Sequence, residues 1–170
     1  MLAAVLYGPN DLQLKEVDVP RFGPNEMLVE VMCAAICGTD LRIISGGKTR
    51  GVHYPSIIGH EISGIVADCG ADVTQFRSGD RVGFAPIIPC GICSECLAGR
   101  SNVCPNHAAL GYHYDGGYQQ YMRVPANAIA AGCVVKLPQS VSLEEAALLE
   151  PLACCYNGIR RCRVGLGDVV

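Results

Sequence analysis

The chain has 170 residues, half of them hydrophobic, and a net charge of −3 with no basic run. That length holds one full domain and a fragment of a second, and that charge disfavours nucleic acid and anionic membranes as partners. Eleven cysteines, an odd number without a signal-like segment, point to thiols that are free or on metal in a reducing compartment, the cytoplasm, and argue against a complete disulfide framework.

Taken in chain order, Ala3–Tyr7 reads as a first strand, followed by the turn Gly8-Pro-Asn-Asp11 and a second strand over Leu12–Val17 with alternating polarity. Met27–Ala35 is a third strand, entered through Phe22-Gly-Pro-Asn25. Thr39–Ser45 fits one or two helical turns, started by Thr39 or Asp40 and stopped by Gly46-Gly47. Ile57–Cys69 has strand character interrupted at Gly59 and Gly64, and Ser78-Gly-Asp80 is a turn before a strand over Arg81–Ala85. A cysteine-rich segment fills 86–105, and Gln119–Val124 and Ile129–Lys136 are further strands. The fold class is therefore mainly β with short helices, a small barrel or sandwich. No apolar run approaches the length of a membrane span. After residue 136 the character changes. Ser142 and Glu145 form a capping box ahead of a helix over Leu143–Leu149. Pro151 pushes Glu150 out of the α region, so a second helix is expected over Pro151–Arg163 with proline at its first position. Val164–Val170 reads as a turn feeding a new strand.

Within the cysteine-rich segment, Cys90, Cys93, Cys96 and Cys104 are separated by two, two and seven residues. Two-residue gaps let a tight loop turn successive thiolates toward one point, and four soft ligands suit a closed tetrahedral zinc site. Disulfides and an iron–sulfur cluster are the competing readings. Nothing else in the chain looks secreted, and the spacing fits neither common ferredoxin run. Four more residues have ligand chemistry but lie scattered: Cys37, just after a strand; His60 and Glu61, in a glycine-flanked turn; and Glu150, at a helix junction. A cysteine, a histidine and a carboxylate form a suitable set for a catalytic zinc, which keeps one position open. Taken singly, each has a plainer reading: a core cysteine, a satisfied histidine, a helix cap.

In combination, the runs Cys-Gly-Thr-Asp (37–40), Gly-His-Glu (59–61), Gly-Asp-Arg-Val (79–82), the cysteine lobe (90–104), Asp-Gly-Gly-Tyr (115–118) and Glu-Pro-Leu-Ala (150–153) resemble the zinc-dependent medium-chain alcohol dehydrogenases. The likeness is strongest to their polyol (sorbitol or iditol) and threonine dehydrogenase branch. The resemblance implies a GroES-like β-barrel catalytic domain over residues 1–150, with a structural zinc on Cys90, Cys93, Cys96 and Cys104. It implies a second, catalytic zinc served by Cys37, His60, Glu61 and Glu150, with Glu61 or Glu150 at the metal. Thr39 would relay the substrate proton, and Asp40 would orient His60. Arg42 stands where some relatives carry a histidine in the proton exit; His53 is a substitute for it, and His113 a candidate for the substrate pocket.

The reaction implied is oxidation of a secondary alcohol of a polyol, sugar or amino alcohol by hydride transfer to NAD or NADP. No Gly-x-Gly-x-x-Gly fingerprint occurs, and Gly165-Leu-Gly-Asp168 reads as a turn before a strand. The resemblance implies that residues 151–170 are a linking helix and the start of a truncated dinucleotide-binding (Rossmann) domain, with the isolated chain inactive and the full-length protein a homo-oligomer. The alternatives are a non-catalytic zinc-binding or interaction module on the same fold, and a zinc-free quinone reductase relative, against which the cysteine lobe argues.

Overall fold

In a computed structural model, the structure describes residues 1–162, Gly165, Gly167 and Asp168; the expected terminal strand and Arg163 lie outside the described residues. The chain is mainly β. Strand β1 (Leu2–Gly8) lies between β2 (Asp11–Glu16) and β4 (Ser56–Ile57). A five-stranded sheet follows the order β10 (Val134–Lys136), β6 (Arg81–Phe84), β5 (Glu61–Cys69), β3 (Met27–Ala35) and β9 (Tyr121–Val124), with antiparallel neighbours. The two sheets join where β1 bridges to the lead-in of β9: Ala3 pairs with Gln119, and Ala4 N donates to Tyr118 O at 2.8 Å. A short pair, β7 (Ile87–Ile88) with β8 (Ala108–Ala109), frames the cysteine lobe at its base.

The core follows from alternation. Met27 and Val29 on β3, Ile62 and Val66 on β5, Val82 and Phe84 on β6, and Met122 and Val124 on β9 turn inward and are buried together. A smaller cluster of Leu6, Ile43, Ile58 and Tyr112 fills the space under helix α1 (Gly38–Ile44). The alternation of Leu12 and Leu14 misleads, because β2 is an edge strand with every residue exposed. Gly64 does not interrupt β5 as expected. It is tolerated because the strand needs it bare: a Cβ there would sit 2.3 Å from the Glu30 carbonyl oxygen. Gly64→Ala should therefore cost about 1–3 kcal/mol, as overpacking does, read from denaturant midpoints at constant zinc.

Two expectations about helices are corrected. Residues Ala126–Ala130 are helix α3, not the start of a strand. Pro125 stands at its N-cap with extended backbone, and Gly132, at φ 70°, turns the chain out of it, so only Val134–Lys136 pairs in the sheet. The capping box at Ser142 and Glu145 forms at both bonds and starts α4 (Leu143–Ala147). The next helix, α5 (Leu149–Cys162), begins two residues before Pro151. The break falls at Leu148, not at Glu150. A proline fits the first turn because the N–H it lacks has no partner inside a helix there. Among the described residues no helix is long and apolar enough to cross a membrane.

Candidate functional site

The first site is built where β3 ends and β5 begins. Ala35 pairs with Glu61 in register, so the residues following β3 meet those preceding β5. Cys37, rather than the expected Thr39 or Asp40, is the N-cap of α1. Its Sγ accepts from Thr39 N at 3.4 Å, and Asp40 Oδ2 accepts from Cys37 N at 2.9 Å. This reciprocal cap fixes the thiol and turns Asp40 into the protein.

His60 and Glu61 arrive through Gly59, at φ 97°, where a Cβ would lie 2.7 Å from the Tyr118 ring. Only glycine suits that backbone and that contact. Asp40 is 0 % exposed, His60 5 % and Glu61 6 %. Ligand atoms of Cys37, His60 and Glu61 all lie within 4.8 Å of one another.

Around these three, Asp40 is held from several sides. Tyr118 Oη donates to Asp40 Oδ2 at 2.8 Å, and also points to the Ala35 carbonyl at 3.1 Å. His60 Nδ1 lies 3.2 Å from Asp40 Oδ1, close enough for an ion pair but not aligned as a hydrogen bond. Burial alone would raise the Asp40 carboxyl, yet His60, the Cys37 N–H and the Tyr118 hydroxyl hold it below its ordinary value. Burial would likewise lower His60, but Asp40 and then Cys37 push it up to about 9. Tyr112 Oη sits 3.2 Å from His60 Nδ1. Its phenol is raised first by burial and then by the negative charge of Asp40, Cys37 and Glu150. A field that favours a proton on a buried imidazole and disfavours a phenolate suits a bound cation, so the donor set fits zinc in charge as well as in chemistry.

Glu150 is not part of that close group. It lies half-buried in the first turn of α5, where Cys154 Sγ donates to its Oε1 at 3.4 Å. Both residues line an open cleft of about 390 Å³ that continues past Pro86 and Asn157. Thr39 is half-buried beside the site, close enough to the Tyr112 hydroxyl to act on it. Arg42 is exposed, His53 Nδ1 lies 3.0 Å from the Tyr112 carbonyl, and His113 is exposed on the next residue. The structural parts played by Tyr112 and Tyr118 were not singled out from sequence. The Asp115-Gly-Gly-Tyr118 run carried the signal. Its glycines lie against the Gly59 carbonyl and the Ile62 side chain, which seats Tyr118 behind Asp40.

The second site is the lobe. Sγ–Sγ distances are 3.5 Å for Cys93 to Cys96, 3.8 Å for Cys93 to Cys104 and 4.0 Å for Cys90 to Cys96. Sulfurs about 2.3 Å from a tetrahedral zinc stand about 3.8 Å apart, so the four thiols are spaced for that ion. Backbone N–H groups of Ile92 and Cys93 favour the Cys90 thiolate and lower its pKa; burial and the neighbouring thiols raise that of Cys96. Helix α2 (Ser94–Leu97) and a 3₁₀ turn at Ser101–Val103 are all the regular structure between the ligands.

The chain is similar over most of its length to known proteins. Residues 23–141 match the alcohol dehydrogenase GroES-like domain. The sorbitol dehydrogenase of Bacillus subtilis (strain 168) is 35 % identical, aligned over 100 % of this chain and 48 % of its own length. The L-threonine 3-dehydrogenase of Mesorhizobium japonicum is 38 % identical over 82 % of this chain and 40 % of its own. Among solved structures, a short chain alcohol dehydrogenase from Escherichia coli CFT073, complexed with the cofactor NADH, superposes with a TM-score of 0.84 at 34 % identity, covering 96 % of this chain and 46 % of that one. The chain thus spans about half the length of the relatives it matches. Two cysteine-bearing sites on one β framework, and a match running through both, place the chain in the zinc-dependent medium-chain alcohol dehydrogenase family, as its N-terminal GroES-like domain.

Proposed function

We propose that the chain is the zinc-binding half of an NAD- or NADP-dependent dehydrogenase that oxidises a secondary alcohol of a polyol, sugar or amino alcohol. The observation that supports this reading most directly is the buried convergence of Cys37, His60 and Glu61 in front of Asp40. These three would hold the catalytic zinc and leave a fourth position for the alcohol. A zinc bound there supplies Lewis acidity, lowering the pKa of the hydroxyl placed against it. Asp40 faces Nδ1 of His60 at 3.2 Å and would fix the ring, with Nε2, 3.4 Å from Tyr112 Oη, as the nitrogen offered to the metal. Cys37 as thiolate, neutral His60 and Glu61 total −2, which matches Zn²⁺. Glu150, tethered to Cys154, would stay outside the metal in this state. Thr39 would take the substrate proton outward, with Tyr112 beside it. Cys90, Cys93, Cys96 and Cys104 would hold a second, closed zinc with no open position for chemistry. Residues 1–150 would form the catalytic domain, and 151–170 the connection to the dinucleotide-binding domain whose nicotinamide accepts the hydride.

Metal analysis of the zinc-reconstituted chain should give two zincs per chain, falling to one in Cys37→Ala, while Glu150→Ala keeps two. The chain alone should not reduce NAD⁺ or NADP⁺ with sorbitol or threonine. A single zinc that Cys37→Ala leaves in place would favour a non-catalytic module. Steady turnover by the 170-residue chain would overturn the two-domain reading.

A further inference from the structure

The loop that follows α1 gathers positive charge beside the proposed catalytic site. Lys48 Nζ stands 4.4 Å from the centroid of the Tyr112 ring, the same ring whose hydroxyl touches His60. His53 Nδ1 lies 3.0 Å from the Tyr112 carbonyl. Gly51 packs so closely on His113 that a Cβ would come within 2.6 Å of its imidazole. His107 and His113 face each other edge to face, with ring centroids 6.3 Å apart. Three contacts therefore dock the 48–53 loop on the Tyr112–His113 turn, and three of the four histidines of the chain meet there.

Lys48 is half-buried, while Arg50, His53, His107 and His113 are exposed. Among the described residues the ion pairs draw on Asp40, Asp80, Glu95 and Glu26, and neither Lys48 nor Arg50 enters one. His113 feels this crowding: burial lowers its pKa first, and His107, His53, Lys48 and Arg50 lower it further. A chain of net charge −3 thus keeps an unpaired cation, Lys48, one aromatic ring away from the proposed ligand His60, with Arg50 close enough to His113 to act on it. A neutral polyol gives such a cluster nothing to neutralise. Donors spread over a loop and a turn suit a dianion with three acceptor oxygens better than a flat monoanionic carboxylate.

We propose that Lys48, Arg50, His53, His107 and His113 receive the phosphate of a phosphorylated polyol or sugar whose secondary hydroxyl lies at Cys37, His60 and Glu61, an inference that rests on the function proposed above. The test uses the zinc-loaded chain. Titrated with inorganic phosphate, its ring signals of His53, His107 and His113 should shift in ¹H–¹³C NMR spectra. By calorimetry, sorbitol 6-phosphate should bind more tightly than sorbitol. The Lys48→Met, Arg50→Met double variant should lose at least about tenfold in affinity for sorbitol 6-phosphate, the scale of losing hydrogen bonds to a charged group, with its affinity for sorbitol unchanged. Three unshifted rings, or a double variant that binds sorbitol 6-phosphate as tightly as the original chain, would overturn the proposal. Should the double variant not fold, the ring shifts decide alone. Zinc content is measured on the same samples. A missing second zinc with shifted rings would remove the dehydrogenase reading and leave the anion site, whereas two zincs with silent rings would do the reverse.

Discussion

Replacing Cys93 by serine should unfold residues 90–104 and leave the barrel standing. The lobe has almost nothing else to hold it. Ile92, Leu97 and Val103, its large apolar side chains, are 82 %, 77 % and 55 % exposed, and Cys104 alone among the four cysteines is buried. Its helix is four residues long and its 3₁₀ turn three, both far below the length at which a helix holds itself. Without a core, the ordering entropy of some fifteen residues, at about 1–2 kcal/mol each, has no apolar burial to offset it. Structural zinc sites bind with about 10–16 kcal/mol of apparent free energy at neutral pH, which would offset a large part of that cost. Hydrogen exchange read by mass spectrometry should show protection lost across 90–104 in Cys93→Ser, with β3 and β5 unchanged and one zinc gone. Retained protection in the lobe would mean that something other than the metal folds it.

Asp40→Ala should be the most damaging single change near the first site. Asp40 has no exposure and closes three interactions at once: the Cys37 N–H, the Tyr118 hydroxyl and the approach of His60. Alanine leaves the Cys37 N–H without an acceptor, leaves the Tyr118 hydroxyl only the Ala35 carbonyl, and removes the charge facing His60. Removing one partner of a buried ion pair costs about 3–5 kcal/mol, and losing the group behind a metal-bound histidine lowers metal affinity about 10–100-fold. Asp40→Asn keeps the volume and one acceptor oxygen, so it should lose less stability while still weakening zinc. Denaturant melts of the zinc-free chain separate the first effect, and competition with a zinc chelator measures the second. Unchanged midpoints and unchanged zinc affinity in Asp40→Ala would contradict this account.

What could be read in advance was local. Met27–Ala35 spelled out its strand as an apolar run entered through a Gly-Pro-Asn turn, Ser142 and Glu145 announced their helix by spacing, and the glycine before His60 marked a real break. The errors had equally local causes. Ile129 and Ala130 look like strand residues until Pro125 and Gly132 are seen to bracket one short helix. Pro151 reads as a helix start, although the first turn accepts it two residues in. The scattered ligand candidates could be nominated, but their meeting could not be derived from spacing, since the pairing of Ala35 with Glu61 brings them together. Glu150, nominated with them, stays outside the close group. Tyr112 and Tyr118 reach His60 and Asp40 across 52 and 78 residues of sequence, and no periodicity encodes contacts of that range.

At Gly59 the carbonyl oxygen lies where a Cβ on Gly111 or on Gly116 would collide with it, and the α-carbon faces the Tyr118 ring. One distant stretch, residues 111–118, is thereby keyed to the peptide that leads into His60 and Glu61. Substitutions here will be epistatic: a change tolerated at Gly111 depends on what stands at Gly116 and Tyr118, because all three press on the same atoms. Affinity at the proposed metal site and barrel stability should then vary together, since the joint that presents His60 and Glu61 is also a packing joint of the barrel.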